Sequence, residues 1–315
     1  MSSASATPET PSSGRTPPSA ADAARLSLFV GAAVFALKYA AWHLTDSVAL
    51  LSDAMESVVN VVAAGAALIA LKIAQEPADE NHPYGHSKAE YFSAVLEGIL
   101  IVIAATAIIF EAWQRFQNPT ALTDLGPGLV ISFIASGTNA LLAFYLLRRG
   151  RALRSPALLA DGQHVRADVV TSIGVWVGVG LAWTTGWWML DPLLAAFVAV
   201  NVVRTGWHVV RDSIGGLMDE SLLPAELDDI HAALEEHLNE NALEIHDLKT
   251  RRSAARAFIQ FHLVVPGEMS VRDAHDLCDQ LEEVLDEVIP GSVTEIHVEP
   301  ELEAQNLGRI VGPTH

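Results

Sequence analysis

The apolar residues of this chain are bunched. Six runs, at 26–42, 47–72, 91–113, 129–147, 157–184 and 188–210, are separated by short polar breaks. A helix needs about 20 apolar residues to cross a hydrocarbon layer roughly 30 Å thick, so each run predicts a transmembrane helix. After the sixth run the pattern changes. Leu227, Ile230, Leu234 and Leu238 recur at helical spacing with acids between them over 224–239. Segments 245–248 and 258–265 alternate or run apolar like strands, 271–288 is a second amphipathic helix, and 293–298 is a third strand. The order αββαβ suggests a small α+β sandwich with helices on one face of a sheet. The predicted fold class is therefore a membrane α-helical bundle of six transmembrane helices followed by a small α+β domain.

Two of the apolar runs carry a polar string. They read Asp53-x-x-Glu56-x-x-x-Asn60 and Asp161-x-x-His164-x-x-x-Asp168. At 100° per residue each string falls within a roughly 60° arc, so each helix turns one polar stripe toward a partner. Ionisable side chains at bilayer depth are expensive and mark ion or proton pathways.

The polar breaks orient the bundle. Arg15 and Arg25 precede the first run, Lys72 and Lys88 follow the second, Arg148, Arg149, Arg151 and Arg154 follow the fourth, and Arg211 follows the sixth. The opposite loops hold almost no basic residues, Arg115 being the exception, which places both termini in the cytoplasm. Glu56 and Asn60 then lie about 14 to 20 Å below the outer surface, and His164 and Asp168 about 10 to 16 Å above the inner one. These levels overlap near the midplane, where transporters hold their substrates.

Composition sharpens this picture in three places. The chain of 315 residues is 50% hydrophobic, with mean hydropathy +0.30. From Asp219 onward, 22 acidic residues face 6 basic ones, a local charge of −16 out of −19 for the whole chain. The last third reads as a soluble acidic domain, and no nucleic-acid partner is expected. A single cysteine, Cys278, excludes an intramolecular disulfide framework and fits a reducing compartment. Residues 1–24, rich in Ser, Ala, Pro and Thr, lack the apolar core of a signal peptide and read as a disordered cytoplasmic tail. The expected domains are that tail, a transport bundle over 25–216, a cytoplasmic metal-binding domain over 217–303, and a flexible tail over 304–315.

Glu56, Asn60, His164 and Asp168 form a set of oxygen and nitrogen donors suited to a divalent first-row metal in tetrahedral geometry. A hydrogen-bond network pinning two helices explains lone Asn or Ser residues in a membrane, but poorly explains Glu, Asp and His converging. Asp53 and Asp161, one turn from each pair, read as supporting or pathway residues. In the break after the second run, Asp79, His82 and His86 can chelate a metal at the membrane surface, with Pro83 and Gly85 shaping the turn. The soluble part offers His246, His262, His275, His297 and Glu299, of which His297 and Glu299 share a strand face. His43, His208, His231, His237 and His315 show no such pattern.

Four strings carry a family resemblance: SVALLSDAMESVVN, PADENHPYGHSKAEYFSA, ADGQHVRADVVTS and HDLKTRRSAARAFIQFHL. They resemble the cation diffusion facilitator family, and look closest to its bacterial zinc and ferrous-iron exporters. The resemblance implies that Glu56, Asn60, His164 and Asp168 occupy the transport site, where that branch has two Asp, one His and one Asp. Glu56 and Asn60 depart from the pattern, lowering the formal site charge from −3 to −2. It further implies a loop site at Asp79, His82 and His86, and a dinuclear cytoplasmic site at His246, His262, His275, His297 and Glu299. Lys88 and Asp219 match an opposite-charge pair at the contact of a homodimer.

The implied protein is a dimeric, proton-coupled antiporter, not an enzyme, in a bacterial inner membrane, with a ferredoxin-like cytoplasmic domain. Zn²⁺ is the foremost cargo and ligand, with Fe²⁺, Mn²⁺, Co²⁺ and Cd²⁺ also compatible with the donors. A non-transporting metal sensor would keep the soluble metal sites without moving ions. An intramembrane metalloenzyme is disfavoured because no H-E-x-x-H string occurs.

Overall fold

The computed structural model describes residues 19–45, 48–117, 127–187, 189–238 and 241–301. Apart from residues 19–24, the tails expected at 1–24 and 304–315 lie outside the described residues. Six long helices come first: α1 (Ala20–Thr45), α2 (Val48–Ala74), α3 (Ala89–Gln117), α4 (Pro127–Leu153), α5 (Pro156–Thr185) and α6 (Leu190–Leu217). Then follow α7 (Pro224–His237), β1 (Glu244–Ser253), β2 (Arg256–Val265), α8 (Val271–Val288) and β3 (Val293–Pro300).

The long helices wear apolar side chains on the outside. Phe29 is 73% exposed and Leu141 75%, and Phe133, Phe144 and Phe197 stand out beside them. A belt of that size is stable only against lipid or another apolar surface. Among the described residues four segments are long and apolar enough to cross a membrane: Ala20–Ala40, Ser57–Ala74, Ala89–Gln117 and Pro192–Leu217.

Inside the bundle, small residues let backbones approach. α3 makes its most extensive contact with α6. There, a Cβ added to Gly98 would sit 3.1 Å from the Gly206 carbonyl, and one added to Gly206 would sit 3.0 Å from the Gly98 carbonyl. Helices in lipid associate through such close packing rather than through water expulsion. A Cβ at Gly206 would also meet the side chains of Ile101 and Val102, both at 2.9 Å. Overpacking of this kind costs about 1–3 kcal/mol, so Gly206→Ala should lower the thermal unfolding midpoint in detergent. An unchanged midpoint would contradict the tight seam.

α1 begins at Ala20, inside the stretch that reads as tail. Ser19 caps it, its hydroxyl accepting from the Asp22 amide at 3.2 Å, and Ala23 and Ala24 are buried in a cluster with Leu71 and Leu158. Capping and burial together hold a segment whose composition reads as disordered.

In the soluble part, β2 is central, antiparallel to β1 and parallel to β3. Parallel neighbours need a crossover, which α8 supplies. Ser270 caps α8 by accepting from the Asp273 amide at 3.2 Å. Ile259, Phe261 and Leu263 of β2 pack with Ile230 and Leu234 of α7 and Leu281 and Leu285 of α8. By the period of two, His262 belongs to the other face of the sheet. His246 and His297 are its register partners on either side.

β1 runs well past the 245–248 expected from its apolar pattern. Lys249, Arg251 and Arg252 look like loop residues in the sequence, yet they extend the hairpin toward the membrane domain. The Ala254 amide at its tip donates to the Tyr91 hydroxyl at 3.2 Å, and the Ser253 and Ser87 hydroxyls lie 2.7 Å apart. Arg252 pairs with Glu226 at 2.6 Å, and Arg251 with Asp219 at 3.3 Å. The Arg251 guanidinium also lies 3.9 Å from the centre of the Phe258 ring. Lys88 reaches Asp219 at 2.8 Å within the same chain. The hydrogen bond from Lys88, aided by the charges of Lys88 and Arg251, holds the Asp219 carboxyl below its ordinary pKa.

Candidate metal centres

α5 meets α2 where His164 faces Asn60. The His164 Nε2 lies 2.7 Å from the Asn60 Oδ1, and both residues are buried together with Asp168. The Asn60 oxygen can accept a proton from that nitrogen. The Asp168 Oδ2 accepts from the Asn139 Nδ2 at 2.7 Å. Among the described residues, His164 Nδ1 and Asp168 Oδ1 have no hydrogen-bond partner. Asn60, His164, Asp168 and Thr171 line a cavity of about 50 Å³, closed by Ile101 and Ala105 of α3 and Val202 of α6. One water needs roughly 10–15 Å³ by this measure, so the cavity can take a small ion and a little water.

Glu56 and Asp53 lie on α2, Glu56 one helical turn before Asn60, but their side chains fall outside the described residues. Several buried polar residues of the bundle were not singled out in the sequence. Asn139 on α4 holds Asp168, Glu97 on α3 is buried, and Lys38 on α1 is buried as well. Each lies within a largely apolar run. That setting was the available signal, since a polar side chain at bilayer depth needs a reason. Asp161 is buried one turn before His164.

The loop after α2 gathers Asp79, His82 and His86. The His82 Nδ1 is 3.1 Å from the Asp79 Oδ1, the His86 Nε2 3.4 Å from the Asp79 Oδ2, and the two ring nitrogens are 3.0 Å apart. Bonds of 2.0–2.1 Å in a tetrahedron place donors about 3.3 Å apart, so three donors already stand near ligating distance. Gly85, with φ of 83°, makes the turn that returns His86 toward His82. The backbone amide of His82 is the main cause of a lowered Asp79 pKa, aided by the amide of Asn81 and the His82 ring. The carboxylate is thus present as an anion at neutral pH.

The third cluster lies on the open face of the sheet. Glu299 bridges two imidazoles, with Oε2 3.2 Å from the His246 Nε2 and Oε1 2.9 Å from the His262 Nδ1. His297 stands 3.6 Å from Glu299. The two rings adjoining His262 lie 5.1 Å (His246) and 4.9 Å (His297) from its centre. A register shift between His246 and Lys249 leaves Asp247 at φ of 52° and brings its carboxylate 3.8 Å from the His262 Nε2. Bulges re-aim side chains in this way. Asp247 was not among the expected ligands. His275 does not join the group: it is exposed on α8 and faces Asp279 at 3.5 Å. Of the histidines set aside, His208 and His237 bond helical carbonyls at 2.7 and 2.8 Å, and His315 lies outside the described residues.

Apolar helices around a buried His–Asn–Asp group, joined to an acidic soluble domain bearing further donors, define a multi-pass membrane carrier of ions. Comparison with known proteins narrows the class. The family model of the cation efflux transmembrane domain matches residues 24–218, and that of the cation efflux protein cytoplasmic domain matches 222–301. An uncharacterized transporter of Synechocystis, sll1263, is 44% identical over 275 residues, covering 87% of this chain and 88% of that protein. The cation-efflux pump FieF of Shigella flexneri is 29% identical over 264 residues, covering 84% and 87%. The metal-bound C-terminal domain of the CzcD transporter from Thermotoga maritima is 32% identical, with a TM-score of 0.24 over 27% of this chain and all (100%) of that domain. The chain belongs to the cation diffusion facilitator family of metal cation efflux transporters.

Proposed function

We propose that this protein is a proton-coupled antiporter that exports divalent transition metals from the cytoplasm, with the ion held by Glu56, Asn60, His164 and Asp168. The observation that carries this reading is the buried His164–Asn60 contact beside Asp168, with open donor atoms facing a cavity of ionic size. In the tautomer that carries its hydrogen on Nε2, His164 donates that proton across the 2.7 Å gap to the Asn60 Oδ1. A dication taking its place would part these atoms to about 3.3 Å, so metal and proton compete for the same lone pair. Imidazole titrates near physiological pH, which lets the pH difference across the membrane drive the exchange.

The rest of the reading follows from this. All six long helices cross the membrane, with both termini cytoplasmic, in a bacterial inner membrane. The αββαβ domain is read as ferredoxin-like, its parallel β2–α8–β3 unit being the recognisable part. Two copies pair through their soluble domains, and the Lys88–Asp219 bridge supports the junction next to that contact. Zn²⁺ is the leading cargo, and Fe²⁺, Mn²⁺, Co²⁺ and Cd²⁺ suit the same donors. Asp79, His82 and His86 hold a second ion, and His246, His262, His297 and Glu299 hold regulatory metal in the cytoplasm. Metal-dependent proton flux in proteoliposomes, measured over a panel of divalent ions, tests the exchange. Binding without flux would favour a sensor.

The neutral amide at position 60 yields a further expectation. Asn60→Asp adds a carboxylate to the ligand set and should tighten metal binding about tenfold, or about 1.4 kcal/mol. Slower release should then lower turnover at saturating metal. Weaker binding in the variant would remove Asn60 from the site.

A further inference from the structure

Outside the ligand set, the bundle buries a group of polar side chains that keep unpartnered oxygens among the described residues. Glu97 on α3 is 0% exposed and neither carboxylate oxygen has a hydrogen-bond partner among the described residues. Asp161 on α5 is 1% exposed with Oδ2 unpartnered. The hydroxyl of Ser93 on α3 is buried and without a hydrogen-bond partner among the described residues, and that of Ser27 on α1 is buried against Asp161. These groups are neighbours: Glu97 lies within electrostatic reach of Asp161, Asp161 stands against Ser27, and Ser93 is one turn before Glu97 on the same helix face.

Two buried carboxylates near each other, with no cation paired to either among the described residues, are expensive. Their depth gives the cost a purpose. Counting from the helix starts on the side read as cytoplasmic, Ser93 lies about 6 Å in, Asp161 about 8 Å, Ser27 about 10 Å and both Glu97 and His164 about 12 Å. Asp168 lies deeper, at about 18 Å. Ser27 and Asn60 line one small void together, and Asn60 also lines the cavity with His164 and Asp168. Ser27 of the cluster and Asn60 of the ligand set thus share a void.

We propose that Glu97 and Asp161, with the hydroxyls of Ser27 and Ser93, form a second intramembrane station that receives a divalent cation on its way from the cytoplasm to His164 and Asp168. The direction of travel rests on the export reading given above; the existence of the station does not. Its donors are all oxygen, which suits a hard, partly hydrated dication. The later set adds an imidazole nitrogen, so the ion exchanges water for firmer ligands as it advances.

Kinetics separate such a station from the transport site. In proteoliposomes of the full chain loaded with Zn²⁺ or Mn²⁺, Glu97→Gln should raise KM at least fivefold while changing saturating turnover less than twofold. Glu97→Asp should recover a KM within twofold of wild type. Asp161→Asn should repeat the KM effect if Glu97→Gln fails to fold. A wild-type KM, or a loss of turnover at constant KM, would overturn the proposal. An equilibrium count needs no transport: in a His164→Ala background, Mn²⁺ titration followed by electron paramagnetic resonance should show one weak site that Glu97→Gln removes. An unchanged count would overturn the station. Residual flux in His164→Ala would instead overturn the transport-site reading alone.

Discussion

Replacing His164 by alanine should abolish metal flux into proteoliposomes, with at least about a hundredfold loss and no loss of folded protein. Three facts support that size. His164 supplies the nitrogen that touches Asn60 at 2.7 Å, its second nitrogen has no hydrogen-bond partner among the described residues, and its ring lines the ionic cavity. Losing a direct ligand should exceed the 10–100-fold that loss of a merely supporting hydrogen bond costs a metal site. Folding should survive because the truncation enlarges a cavity that already exists and leaves the Asn139–Asp168 bond intact. The measurement is pH-gradient-driven uptake of Zn²⁺, with size-exclusion behaviour as the folding control. Wild-type uptake by His164→Ala would mean that the ion passes elsewhere.

Glu299→Gln should strip metal from the cytoplasmic cluster by more than about a hundredfold in affinity, for the same reason. Glu299 is the group through which His246 and His262 communicate, touching one with each oxygen at 3.2 and 2.9 Å. An amide offers only one acceptor, and its NH₂ would confront an imidazole. The core of the domain lies on the opposite face of the sheet, so stability should hold. Metal content of the full chain after equilibration at low micromolar Zn²⁺ is the readout. Full metal retention would show that Glu299 is a bystander.

Much of this architecture was legible along the chain, because lipid and the α-helix impose strong periodicities. The polar stripe of α5 and its Asn60 partner on α2 were readable from spacing, and the loop cluster from proximity in sequence. The cytoplasmic cluster was only partly so. A period of two pairs His297 with Glu299, but the alignment of His246, His262 and His297 depends on strand register. His275 was grouped with them by residue type, yet its helix turns it outward. Asn139 and Glu97 escaped notice because neither has a second Asp, Glu or His at helical spacing within its own apolar run. The charged end of β1 read as loop since its partners, Asp219 and Glu226, lie elsewhere in the chain.

The close approach of Gly98 and Gly206 bears on how the carrier moves. Backbone meets backbone there, so α3 and α6 behave as one strut. Where α5 meets α6, the nearest atoms that a Cβ on Gly174 would meet belong to the side chain of Val198 rather than to backbone. Asn60, Asn139, His164 and Asp168 all belong to α2, α4 and α5, while the strut contributes greasy wall through Ile101, Ala105 and Val202. Sliding the other helices along that strut would bare the ion first to one compartment and then to the other without any donor letting go. The ion travels with its cage.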